Sequence, residues 1–344
     1  MIASRLLAWF DHHGRHDLPW QHPRSAYRVW LSEIMLQQTQ VATVIPYFTR
    51  FVTALPTLPD LACADEDDVL ALWSGLGYYR RARFARQAAR LCVERFDSEL
   101  PCDFDALVSL PGIGRSTAGA ILAQAYGQRF AILDGNVKRV LTRHDGIHGY
   151  PGDGAIEKQL WALAEQLIPR TRVADYTQAI MDLGATVCRR AKPDCDACPL
   201  AATCVARQRG LVDQLPMRRT RKALPVRQTV MLLLRDSQGR ILLEKRGPQG
   251  VWTGLWSLPE AADPREAQVL ANRHAKIGRP HSLEPFTHTF SHYRLDVTPV
   301  LYRDTTNLAT IADHDRLRWC TRADAAKLGL PAPVRSLLDH HWHD

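Results

Sequence analysis

The chain has 344 residues, 46% of them hydrophobic and 23% charged, which suits a globular protein of two or three domains. Its 44 Lys and Arg against 36 Asp and Glu leave a formal charge of +8, so an acidic partner such as a nucleic acid is the leading expectation. No apolar run approaches the roughly 18 residues of a membrane span, and Asp11, His12, His13 and Arg15 break the apolar pattern of the first twenty residues. Neither a membrane segment nor a signal peptide is expected, which points to a cytoplasmic, reducing compartment and, without any oligomerisation signal, to a monomer.

Over 6–190 the apolar residues recur at helical spacing with Gly, Pro and Asp between segments, so this part is expected to be all-α. The run 29–45 is apolar around most of its circumference and reads as a largely buried helix with Glu33 inside it. The neighbours of Glu33 at helical spacing are Val29, Trp30 and Leu36, so its carboxyl is expected to be desolvated and its pKa raised; a generic buried Glu would instead pair with an Arg. Further on, Gly75 and Gly77 make a turn before Tyr78 and the arginine-rich stretch 80–83, a pattern suited to phosphates or to a solvated helix face.

The segment 104–126 reads as helix, Pro-Gly-x-Gly hairpin, helix, the second helix being rich in small residues that permit close packing. Gly112 and Gly114 are expected to allow positive φ and to leave backbone N–H groups free for a phosphate, an arrangement that grips DNA backbone without reading sequence. Twenty residues past Gly114, an apolar approach ends in Asp134, placed as a helix N-cap. Asn136 follows, with a local turn hydrogen bond as its simplest role.

Eight cysteines are present, four of them between 188 and 204. Cys188, Cys195, Cys198 and Cys204 have the spacing Cys-x6-Cys-x2-Cys-x5-Cys, and four convergent thiolates can hold zinc or a [4Fe-4S] cluster. A single short Cys-x2-Cys knuckle favours the cluster over a zinc ribbon, which pairs two such knuckles, and the lack of a secretory signal disfavours disulfides.

Between 206 and 227 seven Arg and Lys stand against the single acid Asp213, which reads as a basic linker. The short apolar runs 229–234 and 241–244, joined by Asp236-Ser237-Gln238-Gly239, signal a hairpin that opens an α+β domain. Three parts are therefore expected: a helical domain over 1–205, the linker over 206–227 and a second domain over 228–344.

Taken together, the hairpin, the aspartate at this interval and the cysteine loop resemble the helix-hairpin-helix glycosylases of the endonuclease III type. The string Leu31-Ser32-Glu33-Ile34-Met35-Leu36-Gln37-Gln38-Thr39-Gln40 resembles the signature of the MutY-type adenine DNA glycosylases in particular. That resemblance implies base removal from double-stranded DNA carrying adenine opposite 8-oxoguanine or guanine. It assigns Glu33 to protonate N7 of adenine, Asp134 to stabilise the oxocarbenium-like sugar, and Asn136 to position water and sugar. Gln37, Gln38, Tyr78, Gly112, Gly114 and Ser116 become DNA contacts, with Gln38 and Tyr78 entering the base stack while the target base is flipped out. The four cysteines would hold a structural [4Fe-4S] cluster.

Relatives that also cut the strand carry a lysine in the second hairpin helix. Ser116 stands at that position and cannot form a Schiff base, so the resemblance implies monofunctional base removal. The alternative is an endonuclease III-type glycosylase/lyase acting on oxidised pyrimidines. In the second domain the string 250–260 resembles the Nudix fold, yet Arg265-Glu266 comes too early after Gly254 and Asn272-Arg273 stand where paired glutamates would bind Mg²⁺. Recognition rather than hydrolysis is therefore expected, with Phe290, Ser291 and His292 resembling the family's loop that contacts 8-oxoguanine.

Overall fold

The computed structural model describes residues 2–219, 223–307 and 316–342. The chain divides into two units, Met1–Cys63 with Phe84–Thr220, and Ala64–Arg83 with Arg221–Asp344. Twelve helices come first among the described residues: α1 Ile2–His13, α2 Ala26–Leu36, α3 Val41–Ala54, α4 Leu58–Cys63, α5 Glu66–Trp73, α6 Arg80–Arg95, α7 Phe104–Ser109, α8 Arg115–Tyr126, α9 Gly135–Asp145, α10 Gly154–Leu167, α11 Val173–Asp182 and the short α12 Val205–Gln208.

The first unit is helical, as its 3.6-residue periodicity requires. One core collects Leu6, Leu133, Val137, Leu141, Leu160, Tyr176 and Leu183 from α1, α9, α10, α11, the loop before α9 and the turn after α11. The helix α8 adds Ala120 and Ala123 to this core; all seven of its residues from Thr117 to Ala123 are buried, and a Cβ at Gly119 would collide with the carbonyl of Ala131. Glycine there lets the loop 130–134 lie directly on the helix, where Leu133 N donates to Ser116 Oγ at 3.0 Å. Past α11 the chain forms a π-helical turn, Leu183–Val187, in which Gly184 packs against Asn136.

Two expectations are corrected. The buried run 29–45 is two helices, because α2 ends at Leu36 and the polar tetrad 37–40 turns the chain, with Gln38 at φ +61°. The stretch 206–219 is no free linker either: Ala206 and Leu215 are buried, and Arg143 Nε donates to Leu215 O at 2.8 Å. Arg221 and Lys222 of that basic stretch lie outside the described residues.

In the second unit, β1 Val226–Asp236 turns back into β2 Ile241–Lys245 through Gly239, at φ +74°, as the hairpin signal implies. They are followed by β3 Trp256–Ser257, β4 Glu260–Ala261, α13 Pro264–His274, β5 Ala275–Lys276, β6 His281–Ser282, β7 Phe286–Thr289, β8 Arg294–Asn307, β9 Leu317–Cys320, α14 Arg322–Ala326 and α15 Ala332–His341. The strand β1 runs parallel to β8 from Val226↔Arg294 onward, whereas its pairings with β2 and β4 are antiparallel, so the sheet is mixed. Successive side chains of β1 face opposite ways. Met231 and Leu233 enter a core with Trp256, Leu258 and Val334, while Val230, Leu232 and Leu234 enter another with Ala267 and Ala271 of α13.

The segment Ala64–Arg83 belongs to this second unit. Asp67 binds Lys245 at 2.7 Å and accepts from Trp256 Nε1 at 3.3 Å, and Tyr79 Oη donates to Leu330 O at 3.0 Å. No apolar periodicity marks such a long-range docking, so the domain boundaries read from sequence do not coincide with the observed units.

Candidate active site

Glu33 lies on α2 with Trp30, Leu31, Ile34 and Met35 all buried around it. Its carboxyl accepts from the buried Gln124 of α8. Burial pushes its pKa up to about 8 from 4.5, and the charge of Asp134 pushes in the same direction, while the Gln124 bond opposes both. Among the described residues its charge is set by burial, Asp134 and Gln124 rather than by a cation, unlike that of an ordinary buried Glu.

Asp134 is the N-cap of α9. Its Oδ1 accepts from Val137 N at 2.7 Å and its Oδ2 from Asn136 Nδ2 at 3.1 Å. Burial raises its pKa and these donors hold the rise back. The carboxylate is thus fixed in orientation by donors that favour its charged form.

Asn136 is in turn held by Arg139, whose Nη2 donates to Asn136 Oδ1 at 2.8 Å and to Gly184 O at 2.6 Å, with Nε bonded to Cys188 O at 2.7 Å. Sequence reasoning missed Arg139 and Gln124. Gln124 could have been noticed as the lone amide in an otherwise small and apolar helix, while Arg139 sits on an amphipathic helix where an arginine is unremarkable.

The structure brings Glu33, Asp134 and Asn136 together in the first unit. In the hairpin Gly112 has φ +79° as expected, but Gly114 does not: as N-cap of α8 it is extended, at φ −95°. An N-cap residue takes that conformation whatever its side chain. What distinguishes Gly114 is room, since a Cβ there would meet nothing within 4 Å. The N–H groups that open α8 are thereby accessible to a phosphate. Ser116, by contrast, has its hydroxyl oxygen bound by Leu133 N and holds the loop that leads to Asp134.

Gln37 and Gln38 are exposed after α2, and Gln38 has a left-handed backbone. Tyr78, in the second unit, is also left-handed at φ +49° and leaves half of its surface to solvent. Such strain in non-glycine residues concentrates at functional positions. Arg81 backs the tyrosine: its guanidinium lies 5.3 Å from the Tyr78 ring and 5.5 Å from that of Trp73, and Nη2 donates to Gly77 O at 3.2 Å.

Cys188, Cys195, Cys198 and Cys204 line one cavity with Val140, Leu183 and Leu200. Among the described residues no three His, Cys, Asp or Glu side chains gather tightly enough for a single ion; the thiols instead share a wall. Burial pushes Cys198 up to about 11 and raises Cys195, so these sulfurs call for a cationic centre before they ionise. Arg143 Nη1 donates to Cys188 Sγ at 3.4 Å, which ties that sulfur to α9.

In the second unit Phe290, Ser291 and His292 form the tight connection between β7 and β8, closed by Phe290 N to Tyr293 O at 2.9 Å. Ser291 and His292 are exposed and Phe290 is half-buried. The Nudix-like carboxylates are used structurally: Glu260 binds Arg246 at 3.1 Å, and Glu266 accepts from Ala262 N at 2.7 Å.

With this geometry the family matches agree. Residues 31–166 match the HhH-GPD superfamily of base excision DNA repair proteins, and residues 230–340 match the NUDIX domain. A solved thermostable thymine-DNA glycosylase superposes with a TM-score of 0.54 at 27% identity, covering 60% of this chain and 95% of that one. Helix-hairpin-helix glycosylase with an appended Nudix domain is therefore the class.

An adenine DNA glycosylase of Buchnera aphidicola subsp. Acyrthosiphon pisum is 37% identical over 99% of this chain and 97% of its own. The human adenine DNA glycosylase is 36% identical over 86% of this chain and 65% of its own. The chain belongs to the adenine DNA glycosylase family and is an adenine-specific DNA N-glycosylase. No helix among the described residues is long and apolar enough to cross a membrane.

Proposed function

We propose that the enzyme removes adenine mispaired with 8-oxoguanine, or with guanine, by hydrolysis without strand cleavage. The observation that carries this reading is the pairing of two carboxylates in unlike surroundings. Glu33 is desolvated enough to hold a proton near neutral pH, while at Asp134, whose pKa burial also raises, two donors oppose that rise and favour the anion. Glu33 donates its proton to N7 of the flipped adenine and turns the base into a leaving group. Asp134 then faces the positive charge that develops on the deoxyribose, and water completes the displacement. Asn136 keeps the aspartate oriented.

Gln38 and Tyr78 fill the stack that the flipped base vacates, and the open start of α8 takes a backbone phosphate. Phe290, Ser291 and His292 contact the 8-oxoguanine. Ser116 in place of an amine excludes a Schiff base at that position, and Lys138, the nearest lysine along α9, is engaged with Glu157 at 2.6 Å. The four cysteines fit a [4Fe-4S] cluster, which would supply a structural cross-link; through Arg139 and Arg143 its loop braces α9.

The test is base release from duplexes carrying adenine opposite 8-oxoguanine, adenine opposite guanine, or thymine glycol. Release of adenine without strand nicking supports the reading; release of the oxidised pyrimidine would move the protein to the endonuclease III branch.

A further inference from the structure

The turn 250–254 keeps the Nudix-like glycines although the metal-binding carboxylates are missing, and nothing in the reaction so far uses it. Its conformation is unusual. Gly250 and Gly254 have φ of +88° and +78°, as glycines can at no cost, but Trp252 between them also has a left-handed backbone, at φ +59°. A bulky residue in that region is a genuine outlier that the surrounding structure must enforce. Here the turn is clamped by Leu255 N to Trp252 O at 2.9 Å, Gly254 N to Arg246 O at 3.1 Å and Thr253 Oγ1 to Gly250 O at 3.0 Å.

The strained backbone delivers the indole to Phe290. The two ring centres are 5.3 Å apart with planes at 56°, and the indole also meets His288 at 5.6 Å. His288 packs edge-on against Phe290 at 4.6 Å, and the Tyr293 ring also lies against Phe290, at 4.7 Å, capped by the guanidinium of Arg227 at 4.6 Å from the Tyr293 ring. Burial lowers the pKa of His288, which favours its neutral ring. Phe290 is thus bounded by aromatic rings, whereas Ser291 and His292 beside it stand exposed.

We infer that Trp252 is a positioning residue for recognition of the damaged base: it presets the ring of Phe290, so that the loop 290–292 meets 8-oxoguanine already ordered. Ordering a contact residue before binding removes an entropic cost that would otherwise weaken discrimination. The inference rests on the reading of that loop as the lesion contact. An aromatic pair of this kind is worth about three- to tenfold in an equilibrium, which sets the size of the effect.

The experiment measures single-turnover adenine release opposite 8-oxoguanine and opposite guanine for the full-length holoenzyme, and reads the ratio of the two rates. A loss of folded protein lowers both rates alike and cancels in the ratio. Trp252→Ala is expected to lower the ratio about three- to tenfold, Trp252→Phe to restore most of it, and Trp252→Gly to lower it equally although glycine relieves the backbone strain. On a Phe290→Ala background, Trp252→Ala is expected to change the ratio no further. If Trp252→Ala does not fold, the Gly and Phe variants carry the test.

A wild-type ratio in Trp252→Gly, or a further drop on the Phe290→Ala background, would overturn the inference while leaving the loop reading intact. A wild-type ratio in Phe290→Ala alone would overturn the loop reading, and the inference with it.

Discussion

Each unit contains a largely buried glutamate whose pKa is raised by burial, and the two differ in what stands beside them. Glu260 of the second unit has Arg246 at 3.1 Å, a cation that opposes the rise. Glu33 of the first unit has Asp134, a second acid that adds to it, and the neutral Gln124 as donor. A buried carboxylate with a cation is a structural ion pair; one beside a like charge stores a proton. Burial alone does not separate a structural acid from a reactive one, and the sign of the neighbour does.

The sharpest way to break this comparison is to neutralise each glutamate in turn. Glu33→Gln is expected to slow adenine release by about 10²–10⁴, the usual worth of a general acid, in single-turnover assays at saturating enzyme. Glu260→Gln is expected to leave that rate nearly unchanged and to lower the melting temperature instead, because Arg246 loses its partner. Comparable rate losses in both variants would dissolve the distinction.

The stability of the free protein sharpens it with the opposite sign. Glu33 has a folded pKa of about 8 against 4.5 for the unperturbed group. Below the lower value its proton is bound in both states and costs nothing; as pH rises toward 8 the unfolded chain ionises first, and the folded state loses stability. Glu33→Gln is therefore expected to stabilise the fold progressively from pH 5 to pH 8, by on the order of a few kcal/mol at the upper end, read as a rising melting temperature relative to the parent protein. A gain independent of pH would contradict the shift.

The backbone under Asp134 offers a further test. A Cβ at Gly119 would meet the Ala131 carbonyl, so Gly119→Ala is expected to displace the loop 130–134, costing about 1–3 kcal/mol as overpacking does, with a matching fall in adenine release. The smallest effect is expected at Ser116. Ser116→Lys removes the acceptor for Leu133 N, at about 1 kcal/mol, and introduces an amine that borohydride should trap as a covalent adduct with abasic DNA; no adduct would mean that the side chain does not face the sugar.

Much of this was legible in the chain itself. The hairpin, the capping role of Asp134 and the desolvation of Glu33 follow from local spacing, because helix periodicity and caps are short-range properties. The break at Gln38 was not legible: 29–45 is apolar enough to continue as one helix, and only the polar tetrad 37–40 hints at the turn. Docking of the segment Ala64–Arg83 on the second unit depends on contacts such as Asp67 with Lys245, nearly 180 residues apart, which no window of sequence contains. The left-handed Trp252 was hidden for the same reason, since its strain is imposed by a turn closed from elsewhere.

The central claim is that a protonated Glu33 and an ionised Asp134 act together on adenine. It is tested most directly by the pH profile of single-turnover adenine release opposite 8-oxoguanine. The account predicts a rate that falls about tenfold per pH unit above an apparent pKa near 8, a limb absent from the residual activity of Glu33→Gln. A wild-type rate that stays level well past that pH, or the same limb in the variant, would contradict it.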